Sequence, residues 1–161
     1  MYEYESTSSS WGQIGEDIVG ENNSAFGWSV DLSQNGTRLI VGAPGQNSHA
    51  SVYHEENGIW TQIGTSPTDF CGDDQEGMCV AISNDGKRIA SSALLANSEA
   101  GRVRVFEEKD GSWSQVGSTF DSTDNARIGL NLALSKDDGK TLIFGNFHWQ
   151  GVVLYDPSYT V

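Results

Sequence analysis

The sequence predicts an all-β protein built from β-propeller blades. Three observations carry that expectation. A tryptophan phrase returns about every fifty residues, as Trp11-Gly-Gln-Ile-Gly15, Trp60-Thr-Gln-Ile-Gly64 and Trp113-Ser-Gln-Val-Gly117. A turn phrase follows each at nearly constant distance: Ser33-Gln-Asn-Gly36, Ser83-Asn-Asp-Gly86 and Ser135-Lys-Asp-Asp-Gly139. Between the two, large apolar side chains alternate with small ones, the period-two signature of strands. Self-similarity at this period marks a solenoid, propeller or array, and four antiparallel strands per repeat describe a propeller blade.

The elements follow in order. Tyr2 and Tyr4 alternate as Val153 and Tyr155 do, so Met1 to Glu5 reads as a third strand cut off at its beginning. With the Trp11 phrase as a fourth strand, residues 1–18 form the end of a preceding blade. The next blade spans 26–64. Its first strand carries Trp28, Val30 and Leu32 on one face, and its second is Leu39-Ile-Val-Gly-Ala43. Asn35-Gly36 between them suits a tight turn with positive φ. Ala50-Ser-Val-Tyr53 is the third strand, and the Trp60 phrase is the fourth. The blade over 77–117 repeats this with Met78, Val80 and Ile82, then Ile89 to Ala93, Arg102 to Phe106 and the Trp113 phrase. The last, 129–156, has Leu130, Leu132 and Leu134, Leu142 to Asn146 and Gly151 to Tyr155, and lacks its last strand. The total is about thirteen strands in a single repeat domain, 1–161. One large-residue face and one small-residue face suit a sheet stacked between two similar sheets, each burying the other's apolar surface.

Composition agrees with a folded chain: 161 residues, 37% hydrophobic, with nineteen glycines and five tryptophans. The net charge of −13 repels phosphate backbones and anionic lipid, which excludes nucleic acid as a partner. No run of eighteen apolar residues is present, so no spanning helix is expected, and the acidic N-terminus is not a signal peptide. Acidity, glycine content and the sequons at Asn22 and Asn35 lean towards an extracellular or cell-surface setting. Cys71 and Cys79 could close a short disulfide loop or remain thiols, with Cys79 in a strand; they are too few for a zinc site.

No nucleophile–base constellation or phosphate loop occurs, and His49, His54 and His148 read as turn or strand-end residues, so no catalysis, metal or cofactor is expected. The acids that stand out are Glu16, Asp17 and Glu21 in one connection, Asp69, Asp73, Asp74 and Glu76 in the next, and Asp121 and Asp124 in the third. All three connections lead from a fourth strand into a new first strand. They are expected to form a negative rim, either a solvated turn face or a dock for a basic partner.

The phrases Phe26-Gly27-Trp-Ser-Val30 and Val41-Gly-Ala-Pro44 resemble the FG-GAP repeats of integrin-α-type β-propellers. The later copies, Gly77 to Val80 with Ser91-Ser-Ala93 and Gly129 to Leu132 with Phe144-Gly-Asn146, are degraded. The resemblance covers nearly the whole chain and implies a module for protein interaction or cell adhesion. It also implies calcium loops, which this chain departs from: the turns are too short and too poor in acids to supply six to eight oxygens. The reading is therefore a non-catalytic interaction module for a protein or glycan ligand. The alternatives are a carbohydrate-binding propeller using Trp28, Phe70 and Trp149, or part of a larger propeller enzyme. A little over three blades cannot close a ring, so the sequence suits either a stretch of a longer propeller or a homodimer that completes a six-bladed ring.

Overall fold

The computed structural model describes residues 1–66, 74–122, 126–146 and 151–155. Its strands form a hairpin and three antiparallel meanders. The hairpin pairs β1 (Tyr2–Glu5) with β2 (Ser10–Gln13). The first meander runs β3 (Ser29–Leu32), β4 (Arg38–Ala43), β5 (His49–Glu56) and β6 (Ile59–Gln62). The second runs β7 (Glu76–Ile82), β8 (Arg88–Ala93), β9 (Arg102–Lys109) and β10 (Ser112–Gln115). A two-residue strand, β11 (Phe120–Asp121), also pairs with β9. The third comprises β12 (Leu132–Leu134), β13 (Leu142–Asn146) and β14 (Gly151–Tyr155). A single helical turn, α1 (Ala96–Glu99), joins β8 to β9.

Each expected strand lies where the alternation put it, within a few residues. The described residues hold fourteen strands against the thirteen expected, and β11 is the addition. Its origin is geometric. β10 pairs only with Phe106 to Lys109, which leaves the first half of that edge of β9 open, and Phe120 and Asp121 fill it opposite Val103 and Arg102.

The repeat holds at the level of register. Tyr53↔Gln62 in the first meander matches Phe106↔Gln115 in the second and Tyr2↔Gln13 in the hairpin. The turn phrase explains itself chemically. Ser33 Oγ donates to Asn35 Oδ1 at 2.8 Å and accepts from the Arg38 N–H at 3.0 Å. Ser83 repeats this with Asp85 and Arg88, and Ser135 with Asp138 and Thr141. The short polar side chain thus satisfies backbone groups that the reversal leaves without ladder partners.

Neighbouring meanders pack face to face, and the packing has a direction. The large face of the second, Val80, Ile82, Ile89 and Phe106, lies on the small face of the first, Ile40, Ala50 and Val52. The large face of the third, Leu134, Leu142 and Phe144, lies on Ala81, Ala90, Val103 and Val105 of the second. Glycines let the backbones close. A Cβ on Gly42 would come within 2.0 Å of the Gly77 carbonyl oxygen, and one on Gly77, at φ +86°, within 2.3 Å of the His49 oxygen. The first strands also meet near one line. Asp31 Oδ2 on β3 accepts from the Ile82 N–H on β7 at 2.9 Å and from Lys136 Nζ, just past β12, at 2.6 Å.

Candidate interaction surface

The acidic connections divide into open and engaged groups. Glu16, Asp17 and Glu21 are exposed in the connection from β2 to β3. Asp17 accepts a hydrogen bond from Gln13 Nε2 at 3.0 Å. Glu16 and Asp17 rim a groove of about 580 Å³ floored by Val30, Leu32 and Trp60. Asp69, Asp73 and Asp124 lie outside the described residues, as does Cys71, with the possible disulfide to Cys79.

Asp74 and Asp121 are brought together, and a cation sits between them. Arg102 Nε donates to Asp121 at 2.9 Å, and its Nη1 lies 3.8 Å from Asp74. Asp121 also accepts from Asn97 Nδ2 at 2.6 Å, and Arg102 donates to Asn97 Oδ1 at 3.2 Å. These contacts clamp α1, where Asn97, Ser98 and Glu99 all have positive φ. Each such non-glycine residue costs about 1–2 kcal/mol. The Glu99–Arg127 ion pair fastens the same turn. The carboxylates expected on a rim here hold a strained connection in place.

Glu76 corrects the sequence reading. It is not on the rim but fully buried, 0% exposed. Arg104 Nη2 donates to one carboxylate oxygen at 2.8 Å and Ser91 Oγ to the other. The guanidinium lies 5.4 Å from the Phe106 ring centroid. A register shift in β7 between Glu76 and Val80 accompanies this placement. An alternating sequence gives no sign of a bulge. Arg104, at the position Ser51 fills in the first meander, is the signal that a buried partner was needed.

The turn acids are likewise engaged. Burial acts to raise the Asp85 carboxyl, but the Lys87 N–H, the Ser83 hydroxyl and the Lys87 and Arg38 charges hold it below its ordinary value. Asp138 is lowered first by the Lys140 ammonium. Among the described residues no three His, Cys, Asp or Glu side chains gather as a metal-binding group. His49 Nδ1, at the start of β5, lies 2.7 Å from the Asn47 carbonyl, and His54 Nδ1, within β5, 3.0 Å from that of Thr37. Burial pushes the Cys79 thiol up, against hydrogen bonds that act to lower it.

The tryptophans take matching places in successive repeats, and one of them bonds to its neighbour. The Trp113 indole N–H on β10 donates to the Ile63 carbonyl, just past β6, at 3.1 Å. Trp60 is half-buried at the matching place one repeat earlier, and Trp11, in the hairpin, is 68% exposed. Large apolar side chains are also open at both ends of the stack. Trp28 and Val30 are 62% and 60% exposed on the first meander, Ile143 and Val152 39% and 67% on the third. Among the described residues no helix is long and apolar enough to cross a membrane.

No protein-family model matches the chain. No curated protein sequence matches it either. Its fold is similar to a chain in the complex of KlAtg21 with the coiled coil of AgAtg16, with a TM-score of 0.57 at 16% identity over 80% of this chain and 39% of that one. It is also similar to hydrazine synthase of Kuenenia stuttgartiensis, with a TM-score of 0.54 at 10% identity over 81% of this chain and 45% of that one. The chain therefore spans less than half the length of either. At these identities the likeness is one of fold: an all-β chain of antiparallel sheets.

Proposed function

We propose that the chain is a non-catalytic interaction or adhesion module made of FG-GAP-like β-propeller blades, which docks a basic protein segment on its acidic edge. The blade reading is supported by three in-register meanders that pack large face on small face. It is supported also by the tie from Asp31 to both Ile82 and Lys136, because sheets that fan from a common axis bring first strands together at that axis. The FG-GAP phrase has a structural counterpart: the Gly27 N–H donates to the Gly42 carbonyl at 3.1 Å, and Gly129 to Gly145 at 2.9 Å.

The observation that carries the docking reading is the contrast between connections. Asp74 and Asp121 share Arg102, whereas Glu16 and Asp17 face solvent at the rim of an apolar groove, and Glu21 is exposed in the same connection. An apolar floor with an anionic rim suits a basic, partly hydrophobic segment. Calorimetry with a lysine-rich peptide tests this. Binding is expected at low salt and is lost at 0.5 M salt. The triple variant Glu16→Gln, Asp17→Asn, Glu21→Gln weakens it about tenfold, at roughly 0.5 kcal/mol for each exposed charge. No heat with the peptide, together with binding on a glycan array, would replace this reading with the carbohydrate one.

A further inference from the structure

We infer that Asn35, on the turn between β3 and β4, is the attachment site of an N-linked glycan. The turn closes the end of β3 away from the connection that carries Glu16, Asp17 and Glu21. The glycan site and the docking surface therefore stand or fall separately.

Sequence narrows the choice first. Linkage to asparagine requires Asn-x-Ser or Asn-x-Thr, with x other than proline. Asn22-Asn-Ser24 and Asn35-Gly-Thr37 satisfy this. The fold separates them. At Asn22 the third residue faces inward: Ser24 is 1% exposed, and its hydroxyl donates to the Glu21 carbonyl at 2.7 Å. That hydroxyl serves the backbone and not the asparagine.

At Asn35 the parts of the sequon converge. Asn35 is exposed. Its Oδ1 accepts from Ser33 Oγ at 2.8 Å, from the Thr37 N–H at 3.1 Å and from Thr37 Oγ1 at 3.0 Å. Three donors hold the oxygen against the turn, so the planar carboxamide presents its Nδ2 on the other side. Beside it, the Cβ position of Gly36 has nothing within 4 Å. The nitrogen that would carry a sugar thus stands in open space.

The reaction leaves the turn intact. Nδ2 attacks the anomeric carbon of a diphosphate-activated sugar. The new N–C bond forms as the C–O bond to phosphate breaks, the diphosphate leaves with the electron pair, and Nδ2 gives up one of its two protons. Oδ1 takes no part and keeps its three donors. The other repeats show that the turn uses only that oxygen. Asp85, at the position of Asn35, accepts from Ser83 Oγ at 2.7 Å and from the Lys87 N–H at 2.9 Å. Asp138 accepts from Ser135 Oγ and the Lys140 N–H in the same way. Asparagine offers the turn nothing that aspartate lacks; what it adds is a nitrogen that can be glycosylated. The three turns stand side by side, joined by the Gln34 N–H to the Asn84 carbonyl at 3.0 Å and the Asn84 N–H to the Lys136 carbonyl at 2.7 Å. Of that row, only the first carries an acceptor.

The test is the intact mass of the full chain, secreted from a eukaryotic cell behind a cleavable leader. It is expected to exceed 17.4 kDa by at least one glycan and to return there on treatment with peptide N-glycosidase. Release in heavy-oxygen water is expected to leave a labelled aspartate at 35, which separates removal of a glycan from spontaneous loss of the amide at Asn35-Gly36. Asn35→Asp and Thr37→Ala each abolish modification at 35, and Asn22→Gln keeps it. Unglycosylated Asn35→Asp is expected to match the urea midpoint of the unglycosylated wild type. The same masses are read on chain retained in the cell's membrane fraction, so poor export does not decide the result. Unmodified Asn35, or sugar at Asn22 alone, overturns the inference. So does modification at 35 that survives Thr37→Ala, or an Asn35→Asp midpoint well below wild type, which would show that the amide itself serves the turn. Titration of either glycoform with the lysine-rich peptide bears on the docking reading alone.

Discussion

Glu76 shows how one side chain can reverse its apparent role. In sequence it extends an acidic run; in the fold it neutralises Arg104 inside the seam between the first two meanders. Burying both charges is costly, and the pair persists because Ser91 and the Phe106 ring complete its surroundings. Removing one partner leaves the other charge uncompensated. Glu76→Ala is therefore expected to destabilise the protein by about 3–5 kcal/mol, read from urea unfolding. The double change Glu76→Leu, Arg104→Met is expected to recover most of that loss. A loss of under 1 kcal/mol in the single variant would mean that Glu76 is solvated.

At the scale of elements, strands and turns were legible because each carries a local code. Alternation placed β3 to β10 and β12 to β14, and Asn-Gly and Asp-Gly marked the reversals. What escaped was non-local. β11 exists because β10 is too short to cover β9, and α1 holds its left-handed residues through Arg102 and Arg127, which lie beyond its own sequence. The acidic connections were legible only as composition. Which acids stay open depended on where Arg102 and Arg104 project. Gly42 and Gly77 sit where two meanders close on each other. Gly42→Ala forces a methyl group against the Gly77 carbonyl, and neither backbone can move without parting β4 from β7. A loss of about 2–4 kcal/mol is expected, at the upper end of overpacking costs. Gly36→Ala has open space around it but a φ of +71°, and is expected to cost about 1 kcal/mol. Equal thermal shifts for the two would contradict the seam.

For the whole molecule, acid should loosen ties between meanders before it exposes the core. Glu108 on β9 is lowered first by the Gly111 N–H, against burial, and then by Arg38 on β4, 3.2 Å away. Asp85 is lowered as well. Both carboxyls bind protons less readily folded than unfolded. Their contribution is full above the ordinary carboxylate values of 4.5 and 3.8, and is lost as pH falls through the depressed folded values. Urea midpoints are expected to hold steady from pH 7 to about 5 and to fall below it. Glu108→Gln should flatten that fall. A midpoint that rises on acidification would show instead that relief of the −13 net charge dominates.

Every ladder in the three meanders joins strands that are neighbours in the chain, apart from β11, which skips only β10. Such a sheet asks little of the unfolded polymer. Each reversal closes a short loop, and the span from Asp31 to Lys136 is bridged after the intervening strands have already brought its ends close. The ladders can assemble by successive hairpins, and so pair faster than those of a sandwich of equal size whose strands pair across distant sequence.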